Sequence, residues 1–395
     1  MCFDLRILIC KLIFFSKKTF KMMHFLTLKL VVFSIDYYYS YFDFIIYLLL
    51  TLIPLLLVVA FFTLAERKAM ASIQRRVGPS VVGIWGVLQP FADGLKLVIK
   101  EIIIPNKANS FLFIWAPGLT LFLSFMGWII ISFDLYTKVF NLNNNLLFIL
   151  VISSLSVYGI LLSGWGSNSK YALLGALRSV SQMISYEVSI SLIIIPIVLF
   201  SGSLNLNTII IKQNETCWFL FPLFPLAVIF FVSILAETNR APFDLPEAEA
   251  ELVAGYNVEY SGIAFAGFFL GEYANILLMS SLFVIFFLGG GLLKMYNIKF
   301  LLTSHYIILD SLNQELIFAI KTIIITFLFI FIRANLPRFR FDQLMHIGWK
   351  IFLPLSLSFI FFYTGILISF NALNITQLPF VNSSYNYIQS FSILF

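Results

Sequence analysis

The sequence predicts an all-α, polytopic membrane protein with eight transmembrane helices and long inner-side loops that carry amphipathic helices. Of the 395 residues, 61% are hydrophobic and only 11% are charged, whereas soluble domains carry about 25% charged residues. The apolar residues also gather into runs of about 20, the length that spans a bilayer as a helix. These runs lie near residues 44–64, 111–133, 146–165, 182–202, 218–236, 262–290, 315–333 and 349–370.

The eight runs define a membrane domain at residues 44–370, which leaves an N-terminal extension, 1–43, and a C-terminal tail, 371–395. The extension holds six basic residues between apolar stretches that are too short to span a membrane. It is interpreted equally well as an amphipathic surface segment, as a cleaved presequence, or as an upstream start before a true one at Met22 or Met23. The role of the extension therefore stays open.

The positions of the basic residues predict the orientation of the helices. The first, third, fifth and seventh loops hold thirteen Lys and Arg residues, whereas the second, fourth and sixth hold four. Because basic loops stay on the matrix or cytoplasmic side, the odd-numbered loops are predicted to be inner and both termini outer. The six basic residues of the extension oppose this orientation, but the loops outweigh them.

The possible ligands for a redox group are few and scattered. Cys2, Cys10 and Cys217 have no metal-ligand spacing, the three histidines are far apart, and no glycine loop suited to phosphate follows a strand. Because haem and iron–sulfur groups need such ligand sets, the chain is predicted to hold no metal and to carry no redox chemistry itself. The scattered basic residues also argue against a nucleic-acid partner.

The first inner loop predicts a helix that lies along the membrane surface. Glu66, Arg67 and Lys68 are predicted to end the first transmembrane helix, and a glycine-rich stretch leads to Pro90. One interpretation is the floor of a portal, an opening from lipid into the protein; the other, favoured by the residues alone, is a basic loop that only sets topology. The apolar residues that recur at helical spacing after Pro90 are Phe91, Leu95, Val98, Ile99 and Ile102.

The third inner loop, residues 237–261, is called the acidic loop here because it contains six carboxylates and one arginine, Arg240. Pro246 followed by glutamates predicts a helix start. Closely packed carboxylates raise each other's pKa and can hold protons near neutral pH. A solvated acidic helix start is the alternative of equal weight. The six carboxylates are Glu237, Asp244, Glu247, Glu249, Glu251 and Glu259.

Three charged residues, Glu187, Glu272 and Lys321, lie inside predicted transmembrane helices. A charge at the centre of such a helix costs about 2.5–3.5 kcal/mol on insertion scales and usually faces a hydrated path for ions or substrate. The alternative is a structural pair between Glu272 and Lys321. Glu66 and Glu237, at predicted helix ends, extend the row of carboxylates.

The last inner loop, residues 333–345, is called the arginine loop here because it contains Arg333, Arg338 and Arg340. Guanidinium groups bind carboxylates through charge-assisted hydrogen bonds, so this loop is a suitable partner for the acidic loop. Positive-inside anchoring explains the same charges at least as well.

Taken together, these motifs resemble the subunit 1 family of NADH:ubiquinone oxidoreductase (respiratory complex I), in its mitochondrially encoded form. The resemblance covers about residues 45–370, and its most specific parts are the acidic and arginine loops. Phe341 stands where the family has tyrosine, and residues 1–43 have no counterpart. The matching segments are Ala65–Lys68, Gln74–Pro79, Leu88–Glu101, Ser185–Val188, Ala236–Tyr260, Gly271–Ala274 and Arg333–Met345.

The resemblance implies a membrane subunit of a proton-translocating NADH:ubiquinone reductase in the mitochondrial inner membrane. Ubiquinone is the implied substrate and enters from lipid between the first helix, the first inner loop and the sixth helix. FMN and iron–sulfur clusters are implied in partner subunits, which are the peripheral quinone-site subunits and the neighbouring membrane subunits. The residues implied for the quinone chamber and portal are Arg67, Arg75, Arg76, Gln89, Pro90, Phe91, Asp93, Lys96, Arg240, Phe243, Arg333, Arg338 and Arg340. Those implied for the proton path are Glu66, Glu187, Glu237, Asp244, Glu247, Glu249, Glu251, Glu259, Glu272 and Lys321.

Two other classes of protein fit the sequence less well. The membrane anchor of a related hydrogenase is expected to lack the full first-loop and arginine-loop motifs. An independent ion transporter needs a self-contained ion site in mid-membrane, whereas the charges here concentrate in the loops of one face. The sequence also lacks the internal repeat from which many transporters are built.

Overall fold

The structure, a computed structural model, describes residues 41–131, 143–244, 255–292 and 307–369, with side chains described from residue 48 onward and, in the last range, from residue 314. Within these ranges the chain forms helices and turns and no strand, which confirms the all-α prediction. Outside the described residues lie most of the predicted extension, the predicted tail, and Glu247, Glu249 and Glu251.

Eleven helices, numbered in chain order, make up most of the described chain. Two single 3₁₀ turns, Ile84–Gly86 and Gly255–Asn257, lie in the inner loops, and a π-helical turn, Ile347–Phe352, joins the last two helices. The helices are α1, Tyr41–Ile73; α2, Gln89–Ile99; α3, Ser110–Ile130; α4, Asn145–Gly166; α5, Lys170–Ser201; α6, Leu206–Glu215; α7, Phe224–Glu237; α8, Gly262–Phe287; α9, Ile307–Asn335; α10, Phe341–His346; and α11, Leu353–Ser369.

Seven described helical segments are long and apolar enough to span a membrane, which makes the chain a multi-pass membrane protein. The predicted fifth span, 218–236, instead forms α7, a helix of 14 residues and about 21 Å. That length is shorter than the roughly 30 Å of the hydrocarbon core. The helix starts late because Pro225 occupies its first turn, where a missing N–H is tolerated. The count of eight spans therefore stays a prediction.

Two predicted helix boundaries are wrong, and in both cases the helix is longer than predicted. Helix α1 continues to Ile73, so Glu66 lies within the helix rather than at its end. Helix α5 begins at Lys170 instead of near residue 182, which reduces the predicted second inner loop to residues 167–169. The polar residues of its first turns had indicated a loop, but small side chains such as Ala172 and Ala176 are buried there against neighbouring elements.

Small residues let the central helices approach each other closely. A Cβ atom on Gly159 of α4 would lie 2.2 Å from Thr120 of α3, and one on Gly164 would lie 2.3 Å from Ala176 of α5. In a membrane, helix association depends on this kind of close packing because the lipid gives no hydrophobic driving force. The packing holds α3, α4, α5 and α8 together as the centre of the bundle.

The inner loops meet at one end of the bundle. The Asn168 side chain donates to the Lys107 carbonyl at 3.0 Å, and the backbone N–H of Ile103 donates to Ser261 Oγ at 3.2 Å. At the opposite end, the N–H of Leu146 donates to the carbonyl of Leu204. All odd-numbered loops therefore lie on one face; which side of the membrane that face occupies stays a prediction.

Candidate functional site

Helix α7 ends inside the bundle, and residues 238–244, the start of the acidic loop, are buried. Non-helical backbone at membrane depth is tolerated only where protein surrounds it and satisfies its polar groups. Gln182 of α5 does this by donating to the carbonyls of Ala236 and Phe243, both at 2.8 Å. This part of the acidic loop is thus a buried segment and not a solvated one.

The Glu66 cluster consists of Glu66, Arg240, Tyr273 and Arg333. Glu66 accepts hydrogen bonds from Arg333 and, at 2.6 Å, from the Tyr273 hydroxyl, and Arg240 Nη1 lies 3.4 Å from the same carboxylate. The side chains of Glu66 and Arg240 are only 7% and 8% exposed. The Arg240 guanidinium also lies over the Tyr273 ring, 4.3 Å from its centroid. One carboxylate therefore ties α1, α8, α9 and the acidic loop together.

The arginine loop also lies directly against the buried start of the acidic loop. Arg338 Nη2 is 3.5 Å from Asp244 Oδ2, and the backbone N–H of Phe339 donates to the Pro242 carbonyl at 3.0 Å. The rings of Phe243 and Phe339 stack with centroids 5.5 Å apart. The sequence-predicted residues Phe243, Asp244 and Arg338 thus meet in space, while Arg340 is exposed.

In the first inner loop, the predicted helix after Pro90 is present as α2. Its start is held against α1, because Arg67 Nη1 lies 2.6 Å from Asp93 Oδ2 and Gln89 donates to Asp93 Oδ1 at 3.0 Å. Phe91 makes an edge contact with Phe61 of α1, with ring centroids 6.0 Å apart. The remaining predicted basic residues of this loop, which are exposed, are Arg75, Arg76 and Lys96.

Glu272 and Lys321 do not form a pair, so the alternative of a structural pair between them is wrong. Glu272 accepts a hydrogen bond from the hydroxyl of Tyr256, on the short 3₁₀ turn of the acidic loop. Lys321 instead donates to the carbonyls of Leu288 and Gly290, at 2.7 and 2.8 Å. Sixteen positions of the chain, from 272 to 288, separate the two sites, which is about 24 Å along a helix.

Glu237, the last residue of α7, is buried and lies within electrostatic range of the half-buried Glu187 of α5. Within the described ranges, no side chain or backbone group donates a hydrogen bond to its carboxylate. Glu259 is half-buried and forms no ion pair with another described residue. The predicted acids in the described parts of the chain thus fall into five places: the Glu66 cluster, the Glu187–Glu237 pair, Glu272 with Tyr256, Asp244 with Arg338, and Glu259 by itself.

Tyr273, which donates to Glu66, and Gln182, which donates to two backbone carbonyls at the start of the acidic loop, were not predicted as site residues. Both lie inside or beside the segments that carry the resemblance: Tyr273 falls within Gly271–Ala274, and Gln182 precedes Ser185–Val188 by one turn. Their position beside those segments was the available signal. Within the described residues, no group of three or more His, Cys, Asp or Glu side chains is placed to hold a metal ion.

Fold and site together define a polytopic α-helical membrane protein with a buried acid–arginine network beneath its inner loops. A sequence profile of the family described as "NADH dehydrogenase" matches residues 46–364. The chain is 57% identical over 320 residues to "NADH-ubiquinone oxidoreductase chain 1" of Chondrus crispus, an alignment that covers 81% of this chain and 95% of the relative. The chain therefore belongs to the NADH dehydrogenase family, which confirms the resemblance in the sequence.

Other relatives extend the family across eukaryotes and bacteria. The protein of the same name from Arabidopsis thaliana is 55% identical over 319 residues, covering 81% of this chain and 95% of the relative. A subunit of the NADH-quinone oxidoreductase of Rickettsia typhi is 53% identical over 319 residues, covering 79% of this chain and 91% of the relative. The aligned length, 319 or 320 residues, is nearly the same in each case.

Proposed function

We propose that this chain forms the membrane side of the ubiquinone chamber in a proton-translocating NADH:ubiquinone oxidoreductase of the mitochondrial inner membrane. Its relatives are named as components of NADH-ubiquinone or NADH-quinone oxidoreductases. The observation that carries the proposal is the Glu66 cluster, where α1, α8, α9 and the acidic loop converge. The cluster joins these elements into one rigid, charged surface beneath the inner loops. A chamber for a polar quinone headgroup needs such a surface.

The portal in this proposal lies beside α2. The Arg67–Asp93 pair and the Phe61–Phe91 contact hold one end of α2 against α1, while Leu95 stays exposed. An exposed apolar face next to charged groups suits a molecule with an isoprenoid tail and a polar head. The tail would lie along the apolar face while the head reaches the charged surface.

Partner subunits supply the redox groups in this proposal, because the chain itself is expected to bind none. FMN and the iron–sulfur clusters belong to peripheral subunits that dock on the inner loops. Four large apolar side chains of the first inner loop support such docking, since apolar surface rimmed by polar residues is typical of protein interfaces. These exposed side chains are Val77, Val81, Ile84 and Trp85.

The proton path in this proposal runs through the buried acids. Glu187, Glu237 and Glu272 lie on three different helices, α5, α7 and α8, below the inner loops. Intramembrane acids that face the interior of a bundle are typical of proton relays. In this proposal Glu66 fixes the arginines beside the path. Lys321, which donates to carbonyls at the end of α8, has a positioning role here instead of the place in the path that the resemblance implies.

The proposal is tested by narrowing the portal. Leu95→Trp adds bulk to an exposed side chain of α2, and unlike a change at Gly83 or Gly86, which have φ of 74° and 72°, it strains no backbone. We expect slower turnover with a long-tailed quinone and little change with a short-tailed soluble one, measured as NADH oxidation by the assembled complex. Phe361→Trp, at another exposed apolar position on α11, is the matched control. Equal slowing with both quinones contradicts the portal.

A further inference from the structure

Helix α2 is attached to the rest of the chain at its two ends. None of its eleven residues is buried by the described parts of the chain, and its exposed apolar side chains include Leu95, Val98 and Ile99. A short helix that buries so little gains little stability from packing, so its position depends on what holds its ends. The start of α2 is fixed to α1 by the Arg67–Asp93 pair. The end is fixed to α8 by a different set of contacts.

A single serine hydroxyl binds the backbone that leaves α2. The N–H of Ile103 donates to Ser261 Oγ at 3.2 Å, and the same hydroxyl donates to the Glu101 carbonyl at 3.3 Å. We call the Ser261 hydroxyl with these two backbone groups the serine clasp. Because the clasp satisfies both a donor and an acceptor of this extended segment, it fixes the segment beside the start of α8.

The serine clasp uses a side chain whose position predicts another role. Ser261 is the N-cap residue of α8, and a serine there usually accepts a hydrogen bond from an N–H of its own helix. Its hydroxyl makes no such bond with the first turn of α8, which the structure describes in full. The hydroxyl therefore serves the segment after α2 and not the helix that it precedes.

Gly262, the first residue of α8, allows the two helices to approach closely. Its φ is +60°, and a Cβ atom there would lie 2.6 Å from the carbonyl oxygen of Lys100 and 3.5 Å from that of Leu97. Carbonyls at the end of α2 thus lie beside the first turn of α8. This placement is favourable, because the carboxyl end of a helix carries partial negative charge and the amino end partial positive charge.

We propose that the serine clasp sets the width of the portal, which makes Ser261 a positioning residue for the isoprenoid tail of the quinone. The inference rests on the proposed function, in which the tail lies along the exposed apolar face of α2. With both ends held, α2 keeps that face at a fixed distance from α1 and α8. Without the clasp, the contacts with α1 remain and the other end of α2 moves away from α8. The tail then binds less tightly, while the charged surface at the Glu66 cluster is unchanged.

The serine clasp itself is tested first, without reference to activity. In the assembled complex, Ser261→Ala should speed hydrogen–deuterium exchange of residues 100–104 by about three- to tenfold, the factor that corresponds to one lost neutral hydrogen bond. Ser261→Thr should exchange at the normal rate, because it keeps the hydroxyl and because φ −134° and ψ 163° at this position suit a β-branched residue. Ser154→Ala is the matched control, since Ser154 is also half-buried and its hydroxyl donates to its own helix at 2.8 Å. Normal exchange in Ser261→Ala overturns the proposal.

The role of the clasp at the portal is tested by the kinetics of NADH oxidation. Ser261→Ala should raise the KM for a long-tailed quinone by about three- to tenfold, with kcat unchanged and with the KM for a short-tailed soluble quinone unchanged. Ser261→Thr should restore the KM, and Ser154→Ala should not alter it. A fall in kcat with both quinones would indicate general damage and contradict the positioning role.

The Leu95→Trp variant separates this inference from the proposed function. If Leu95→Trp slows the long-tailed quinone while Ser261→Ala leaves its KM unchanged, the portal stands and the role of the clasp is wrong. If neither variant affects the long-tailed quinone, the proposed portal fails and the inference fails with it. A selective effect of both variants on the long-tailed quinone supports the clasp as the element that sets the portal width.

Discussion

Lys321 of α9 donates a hydrogen bond of 2.8 Å to the carbonyl of Gly290, three residues beyond the end of α8. The same ammonium group donates to the carbonyl of Leu288 at 2.7 Å and lies 5.0 Å from the centre of the Trp218 ring. The carbonyls that follow a helix end have no partner within the helix, and they carry the negative end of its dipole. A buried cation at this place completes the helix end and explains why an intramembrane lysine needs no acid beside it.

Replacing this lysine should loosen the end of α8. Lys321→Met leaves at least two buried carbonyls without a donor, and each such loss costs about 1–3 kcal/mol. We expect a clear fall in the thermal stability of the assembled complex, with Lys321→Arg recovering part of it. Lys212→Met, which removes an exposed pair with Glu215, should change stability by less than about 0.5 kcal/mol.

A double variant of Glu272 and Lys321 tests whether these residues form a structural pair or belong to two separate sites. If Glu272 and Lys321 were partners, Lys321→Met would repair Glu272→Gln by removing the stranded charge. Because Lys321 binds at the end of α8 and Glu272 lies within that helix, sixteen positions before Leu288, we expect the double variant to be at least as impaired as either single variant. Recovery of NADH:quinone turnover in the double variant argues against the separation seen in the structure.

Removing Arg240 should destabilise the complex much more than removing Arg67. Arg240→Met deletes a buried member of the Glu66 cluster, and breaking a buried ion pair costs about 3–5 kcal/mol. Arg67→Met breaks the Arg67–Asp93 pair, whose side chains are 55% and 38% exposed, and such pairs contribute about 0.2–1 kcal/mol. Thermal unfolding of the two variant complexes, compared with the unmodified one, measures the difference. Equal destabilisation contradicts the burial of the cluster.

The sequence predicts the start of α2 well, because Pro90 and the apolar spacing after it are local signals. It does not predict the ends of α1 and α5, because hydropathy assigns polar residues to loops even where they face other parts of the protein. The hydrogen bonds that build the buried site are harder still to predict from the sequence. Gln182 and the carbonyl of Phe243 are 61 positions apart, and Tyr273 and Glu66 are 207 apart. Only the folded chain brings such pairs together.

The contact of Gly175 with Gly255 should make α5 intolerant of a methyl group at that position. A Cβ atom on Gly175 would lie 2.7 Å from the Cα of Gly255, a backbone atom that precedes Tyr256 in the acidic loop. Gly175→Ala should therefore displace this turn and lower both stability and quinone turnover. Gly118→Ala in α3, where no atom lies within 4 Å, should gain up to about 1 kcal/mol from helix propensity. If both variants behave alike, the close approach is absent.

The predicted orientation is tested by labelling cysteines at the two ends of the bundle. Cys217 is exposed and lies between α6 and α7, on the face predicted to be outer, whereas Lys100 is exposed on the opposite face. In a background without Cys2 and Cys10, an impermeant maleimide should label Cys217 from outside intact membranes. Lys100→Cys should be labelled only in inverted vesicles. The reverse pattern overturns the charge-based orientation.

The hydrogen bond from Tyr256 to Glu272 makes a graded prediction about proton transfer. Glu272→Gln keeps the size of the side chain and removes its titrating proton. If Glu272 is a step in the path, quinone reduction and proton translocation should fall together, because a tightly coupled enzyme cannot run one without the other. Glu272→Asp should retain more activity, since the acid survives at a shorter reach.

Tyr256→Phe should have an intermediate effect, because it leaves the acid but removes a donor that positions it. Tyr260→Phe is the matched control: its hydroxyl donates at 3.3 Å to the Ser163 carbonyl and does not touch Glu272. Assembly of each variant complex is checked first, and an assembled Glu272→Gln complex that translocates protons at the normal rate excludes Glu272 from the path.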